Sequence, residues 1–212
     1  MKEIIDLKDL LKHEILDLYS TEDQIIDSLP DMIENATKPE LKQVLSNHLE
    51  VSRVHKVRLD AIKKELGQET EEDNGFFSNL FGGSNSVTSK GVEGLIKDAG
   101  KLMDEEMTPQ ARDAAIIGAA QKIEHYEIAA YGTAHAYAVE LSLDSIASEL
   151  KKTLQDEYDA DDALTKLAVG RINMDAENAV SSDIPDNADD DYQRLTNSVS
   201  IMKSSEPDDY QE

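Results

Sequence analysis

The sequence predicts an all-α protein in which four long helices form a bundle and one long connection crosses it. Apolar residues recur at three- and four-residue spacing in four separate stretches, as amphipathic helices require. The composition is aliphatic, with 39% hydrophobic residues, 5% aromatic residues and no Trp. Short polar turns join the first stretch to the second and the third to the fourth, whereas a long segment separates the middle two. This arrangement predicts two antiparallel hairpins linked by a crossover.

The first predicted helix runs from Leu7 to about Asn35. Its apolar face includes Leu18 and Ile26, and Glu22 lies four residues from each of them. Side chains at this spacing share one face of a helix, so Glu22 occupies a core position. Pro30 predicts a kink or a short break near the end of this helix.

The second predicted helix begins with Thr37 as the N-cap residue and Pro39 in the first turn. It ends near Gly67, a residue typical of helix C-termini. His48 and His55 interrupt its otherwise aliphatic face. Each histidine alone is more often a satisfied core or boundary residue than a ligand.

The crossover is predicted to contain a polar loop, an aromatic segment and a short helix. All three Phe residues of the chain lie within Phe76 to Phe81. We interpret them as a plug for one end of the core, with a lid or a subunit contact as the alternative. The spacing of apolar residues predicts a short amphipathic helix over Gly91 to Glu106.

The third predicted helix starts at Thr108 and Pro109 and runs to about Leu141. Ser142 is predicted to cap the fourth helix, which should end before Pro185.

The chain is predicted to divide into one folded domain and a tail. Residues 1–180 contain the helical pattern, whereas residues 181–212 are rich in Asp and Ser and lack it. We expect this second segment to be an acidic, disordered tail.

Two pairs of acidic residues lie in core positions of the last two long helices. Glu124 and Glu127 share a helix face with Tyr131, and Glu157 and Asp161 continue the apolar face of the fourth helix. An isolated pair of acidic residues at this spacing more often lies on the exposed side of a helix. However, folding each hairpin at its turn brings the polar core positions of all four helices to one depth, so buried cations are expected among them.

The common layer predicts a site for two divalent metal ions. Its candidate ligands are Glu22, His48, Glu124, Glu127, Glu157 and Asp161. Carboxylates and imidazole inside a bundle suit iron or manganese first and zinc less well. The chain has no Cys, which excludes thiolate ligands and disulfides.

The net charge of −24 excludes some partners. Nucleic acid and anionic membranes would both be repelled by such a surface. The N-terminus lacks a signal-peptide pattern, and no uncharged run is long enough to span a bilayer, so we expect a cytoplasmic protein.

Several segments resemble the YciE/YciF family of ferritin-like bacterial stress proteins. These are Leu10–Gln24, Pro39–Glu50, Ala114–Ala134 and Leu150–Asp161, and the resemblance covers roughly residues 5 to 175. It implies a ferritin-like bundle, a homodimer, a di-iron centre with two irons per chain, and a role in stress. It also implies that each of the six candidate ligands matches a family position. The activity implied is that of a ferroxidase or of an oxidase that consumes oxygen or peroxide.

The chain departs from the family pattern in the second helix. Val51 and Ser52 stand where the family usually has Glu and Thr, so one expected carboxylate is missing. His48 or His55 could compensate from an adjacent turn. Alternatively, one metal position is weak or empty, and the protein is a non-catalytic acidic bundle that acts through assembly or a protein partner.

Overall fold

The computed structural model describes residues 4–68 and 88–179, and all regular structure within these ranges is helical. The helices are α1 (Leu7–Asn35), α2 (Pro39–Gln68), α3 (Lys90–Met103), α4 (Pro109–Glu140), α5 (Asp144–Leu167) and α6 (Asn173–Asn178), with a π-helical turn at Ala168–Ile172. The predicted Phe76 to Phe81 loop and the predicted tail at residues 181–212 lie outside the described residues.

The four long helices form the predicted bundle. Helix α1 packs against α2 and α4, and α5 packs against α4 and α2, so each long helix has two long neighbours. The short helix α3 of the crossover packs against α1 and α4. The all-α fold, the crossover and its extra helix are therefore confirmed.

Helix α1 begins and ends where the sequence predicts. The Asp6 side chain accepts a hydrogen bond from the backbone N–H of Asp9 at 2.8 Å, which caps the first turn. The helix continues through Pro30 to Asn35, so the predicted break is absent.

A buried carboxylate of α4 holds the turn between α1 and α2. Asp113 is fully buried and accepts hydrogen bonds from the Thr37 N–H at 2.6 Å, the Thr37 hydroxyl at 2.5 Å and the Lys38 N–H at 3.1 Å. The hydroxyl of Thr37, predicted to cap α2, is thus a donor to another helix. Sequence spacing did not reveal this role of Asp113.

The turn between α4 and α5 differs from the prediction. Leu143, not Ser142, is the N-cap residue of α5, and its side chain makes no capping hydrogen bond. Ser142 instead ends α4 in the left-handed region, with φ 56°. The N–H of Leu143 reaches the carbonyl of Ala138 at 2.9 Å, as in a Schellman motif, so this serine terminates a helix and does not start one.

A small polar network docks the start of α3 on the bundle. The hydroxyls of Ser89 and Tyr126 both donate to Asp17, at 3.0 and 2.8 Å. A side chain at Gly91 would meet the Tyr126 ring at 2.5 Å. A Cβ at position 91 would therefore displace the Tyr126 ring, and the polar network holds the start of α3 against α1 and α4.

Two apolar clusters fill the two ends of the bundle. One contains Ile25, Leu45 and Ile123, and the other contains Leu18 and Leu59. Along every long helix, the residues between the two clusters include buried polar side chains. The predicted polar layer at mid-bundle is therefore present.

Candidate metal centre

All four long helices contribute buried polar side chains to the layer. Helix α1 supplies one carboxylate, α2 supplies two imidazoles, α4 supplies two carboxylates and α5 supplies one carboxylate. Each of these side chains is at most 6% exposed: Glu22, His48, His55, Glu124, Glu127 and Glu157. Each of these residues lies one helical turn from an apolar residue on the inward face of its helix, so its side chain also points into the bundle.

The first group of ligand atoms comes from His48, Glu124, Glu127 and Glu157. One atom of each side chain lies within 4.8 Å of the others. The Nε2 atom of His48 is 3.3 Å from Glu124 Oε1 and 4.0 Å from Glu127 Oε2. Three carboxylates and one imidazole form a donor set suited to iron, manganese or zinc.

The second group of ligand atoms comes from Glu22, His55 and Glu157, again within 4.8 Å. The Nδ1 atom of His55 lies 3.1 Å from Glu22 Oε1 and 3.0 Å from Glu157 Oε1. Glu157 therefore belongs to both groups of ligand atoms.

Further polar side chains support the second group. The Tyr131 hydroxyl donates to Glu22 Oε1 at 2.6 Å, and the Tyr131 ring stands edge-on to His55 with centroids 6.0 Å apart. On the opposite side of His55, Nε2 lies 3.3 Å from Asp156 Oδ2. Arg58 donates to the same oxygen at 2.5 Å.

Burial raises the pKa of three carboxyl groups in the layer. The pKa of Glu22 is raised, mainly by burial, although His55 opposes the shift. The pKa values of Glu124 and Glu127 lie well above the ordinary value, first because of burial and then because of the charge of Glu157.

The two histidines of the layer shift in opposite directions. Burial lowers the pKa of His48. Burial alone would also lower the pKa of His55, but hydrogen bonds and charge from Glu157 and Glu22 raise it to about 10. Glu157 and Glu22 thus favour the protonated form of His55 when no metal ion is bound.

One imidazolium cannot balance the charge of the buried carboxylates in this layer or donate hydrogen bonds to all of their oxygens. Four carboxylates meet here, and each has at least one oxygen that no hydrogen-bond donor reaches: Glu22 Oε2, Glu124 Oε2, both oxygens of Glu127 and Glu157 Oε2. Buried carboxylates without donors are costly unless they are protonated or bound to a cation. Two divalent ions carry four positive charges, which would neutralise four carboxylates and leave both histidines as neutral ligands. The donor set therefore fits a pair of divalent ions.

The structure brings five of the six predicted ligands together and places Asp161 apart. Asp161 accepts a hydrogen bond from Gln121 at 3.0 Å and lies 3.3 Å from the exposed His125. It belongs to neither group of ligand atoms. Its role as a ligand stays a prediction.

His55 belongs to the layer but is not among the six predicted ligands. Its signal was present in the sequence, because it lies seven residues, or two helical turns, after His48. Val51 is only half-buried, whereas Ser52 is fully buried and its hydroxyl lies 3.5 Å from His48 Nε2. Helix α2 thus presents His48, Ser52 and His55 to the layer.

The fold and the layer define a class, the ferritin-like all-α bundles with buried carboxylate and histidine side chains. A family model described as "Domain of unknown function (DUF892)" matches residues 6–177. Protein YciF of Escherichia coli (strain K12) is 35% identical over 172 residues, which cover 81% of this chain and 96% of that protein. The chain belongs to the YciE/YciF family.

Two solved structures are similar to this fold. YcfI from Rhodopseudomonas palustris, described as a candidate structural protein, aligns with a TM-score of 0.68 at 38% identity, covering 77% of this chain and 96% of that one. The crystal structure of the E. coli stress protein YciF aligns with a TM-score of 0.67 at 31% identity, covering 80% and 99%. Within residues 4–68 and 88–179, no helix is both long and apolar enough to cross a membrane.

Proposed function

We propose that this protein is a di-metal carboxylate protein, with iron as the best-fitting ion, and that it acts as a ferroxidase or as an oxidase that consumes oxygen or peroxide. The observation that carries the proposal is the pair of ligand groups that share Glu157 inside the bundle. Four carboxylates carry four negative charges, which two divalent ions would balance and one would not. Manganese and zinc are the alternative metals.

Each residue of the layer would have a separate role in holding the two ions. His48, Glu124 and Glu127 would hold one ion, Glu22 and His55 would hold the other, and Glu157 would bridge them. Bound iron would supply electrons for the reduction of oxygen or peroxide. The apolar clusters on both sides would keep water from the layer, and Tyr131 would hold Glu22 in place through its hydrogen bond.

Iron binding and iron oxidation test the proposal directly. Under anaerobic conditions, equilibrium dialysis should find about two Fe²⁺ per chain. Admission of air should then oxidise this iron faster than iron in buffer alone. The double variant Glu124→Gln, Glu127→Gln removes two ligands of one ion, so it should bind at most about one Fe²⁺ per chain and lose the accelerated oxidation. The exposed control Glu50→Gln, Glu93→Gln should keep both properties of the parent. Binding of only about one ion per chain or fewer would refute the two-metal centre.

A second candidate function is a non-catalytic stress bundle that acts through assembly or a protein partner. The description of YcfI as a candidate structural protein favours it, as does the ability of His55 to serve as a cation. Iron binding without accelerated oxidation would support this function over the first.

We further propose that the protein is a cytoplasmic homodimer that functions in a stress response. The family resemblance supports the dimer, and the description of E. coli YciF as a stress protein supports the stress role. Light scattering coupled to gel filtration would test the dimer.

A further inference from the structure

Three polar side chains form a line from the surface to the layer between α2 and α5. Arg58 Nη1 donates to Asp156 Oδ2 at 2.5 Å, and the same oxygen lies 3.3 Å from His55 Nε2. Arg58 is 23% exposed, Asp156 is 35% exposed and His55 is fully buried. The line thus connects a half-buried arginine on α2 with an imidazole inside the bundle.

The arginine end of this line is fixed by a second contact. Arg58 Nη1 also donates to the hydroxyl of Thr153 at 3.1 Å, and Thr153 is 2% exposed. A guanidinium with two acceptors on α5 has little freedom to move. It therefore holds the Asp156 carboxylate in one orientation toward His55.

Asp156 holds the proton of a neutral His55 on Nε2 once a divalent ion takes the place of the proton on Nδ1. Carboxylates face both ring nitrogens, and an ionised carboxylate can only accept hydrogen bonds, so the nitrogen that no ion occupies keeps its N–H. That nitrogen is Nε2. The lone pair then lies on Nδ1, which is the atom that faces Glu22 at 3.1 Å and Glu157 at 3.0 Å.

Helix α2 contributes only His55 to the second group of ligand atoms. Its side chains facing the layer are His48, Ser52 and His55, and His48 lies beside Glu124. Metal-binding histidines commonly donate their second N–H to a carboxylate, which fixes the tautomer and the ring plane. The arrangement of His55 between Asp156 and the layer has this form.

We propose that Arg58 and Asp156 are positioning residues that present the Nδ1 atom of His55 as the α2 ligand of the second divalent ion. This inference rests on the proposed two-metal centre. The two residues themselves touch no ion. Their function is to hold the imidazole in one tautomer and one orientation.

Zinc is a suitable probe because it gives diamagnetic complexes whose ¹⁵N spectra report the state of each imidazole nitrogen. In ¹⁵N-histidine-labelled protein with two Zn²⁺ per chain, His55 should show a protonated Nε2 and a zinc-bound Nδ1. The variant His55→Gln assigns its signals. Zinc bound through Nε2, or a His55 with both nitrogens protonated, would overturn the inference.

Substitutions of Arg58 and Asp156 give a second test, in which calorimetry measures the affinity of the protein for each of the two zinc ions. Asp156→Ala should weaken the second zinc roughly 10- to 100-fold and leave the first unchanged. Arg58→Gln should weaken it less, and Asp156→Asn should recover part of the loss because its amide oxygen still accepts from Nε2. The matched control Asp159→Ala removes an exposed carboxylate of the same helix and should change neither affinity.

The outcomes separate the two proposals. If the parent protein binds fewer than two Zn²⁺ in the layer, the two-metal centre fails and this inference fails with it. If it binds two but Asp156→Ala retains the second at parental affinity, only the inference is overturned. The parent spectrum decides the tautomer even if a variant does not fold.

Discussion

The Oε1 atom of Glu157 lies 3.0 Å from Nδ1 of His55, while the Glu157 carboxylate also belongs to the group around His48. One side chain of α5 thus joins both halves of the layer. Removal of any ligand should change both the metal affinity and the electrostatic repulsion among the remaining acids. Metal binding and stability of the metal-free protein are therefore coupled through this residue.

Glu124→Gln should stabilise the metal-free protein at pH 7.5 by about 1 kcal/mol. Burial and the charge of Glu157 raise the pKa of Glu124, so its ionised form is disfavoured and a neutral amide of the same shape removes that cost. Urea unfolding in the presence of a chelator measures the change. The exposed control Glu50→Gln should stay within about 0.5 kcal/mol of the parent. A loss of more than about 1 kcal/mol in Glu124→Gln would contradict the prediction.

The metal-free protein should lose stability as the pH rises from 6 to 9. The pKa values of Glu22, Glu124 and Glu127 are raised in the folded state from the ordinary value of 4.5, so the folded chain binds more protons than the unfolded chain above that value. The pKa of His55 is raised from 6.5 to about 10, so its contribution is fully present below pH 6.5 and is lost as the pH approaches 10. The carboxyl groups and His55 therefore contribute with the same sign. The lowered pKa of His48 has the opposite sign, but its effect is confined to pH values near and below 6.5.

Melting temperatures measured in a chelator across this pH range test the effect. The chain has a formal net charge of −24, and repulsion among its surface acids also grows as the pH rises. The double variant Glu124→Gln, Glu127→Gln retains this surface effect, so its pH dependence should be shallower than that of the parent. Equal slopes for both proteins would show that the layer does not contribute.

Tyr131→Phe should destabilise the metal-free protein by about 2 kcal/mol. The substitution preserves the ring but removes the 2.6 Å hydrogen bond to Glu22, and both groups are fully buried. Urea unfolding measures the loss. Tyr158→Phe removes a hydroxyl from a side chain that is 50% exposed and serves as the control, with little change expected. Equal effects of the two substitutions would argue against a specific role of the Tyr131 hydroxyl.

Ser142→Gly should stabilise the protein by about 0.5 to 1 kcal/mol. Ser142 has φ 56°, a conformation that glycine adopts without a Cβ clash. Thermal unfolding measures the gain. Ser142→Ala is the matched control, because alanine retains the Cβ and should give no gain. An equal gain in both variants would assign the effect to loss of the hydroxyl and not to the backbone conformation.

The sequence predicts the helices well because each long helix has a strong apolar periodicity and clear ends. The predicted span from Leu7 to Asn35 matches α1, and Pro109 begins α4 as predicted. The Ser142 prediction was wrong because a serine after a helix can either cap the next helix or end the previous one. Tertiary packing of α4 against α5 selects the second role.

The sequence predicted the position of the layer along the bundle, but it did not predict all of the residues that form the layer. Glu22 and Glu157 interrupt apolar faces, so periodicity alone placed them in the core. The position of His55 on an apolar face was also visible in the sequence, but its pairing with Glu22 and the separation of Asp161 from the ligand groups depend on contacts between helices. Rotation of α5 directs Glu157 toward the bundle axis and places Asp161 beside Gln121, and no sequence pattern fixes such a rotation.

The sequence by itself determined an all-α bundle with acids and histidines at one depth, because helical periodicity and turn positions are local properties. The tertiary structure alone decided that Glu157 belongs to both ligand groups and that His55 lies beside Glu22. It also decided that Asp156 contacts the other nitrogen of His55 and that Arg58 donates to Asp156. These relationships join residues far apart in the chain. They depend on how neighbouring helices rotate and slide as they pack, which side-chain volumes across the whole core determine together.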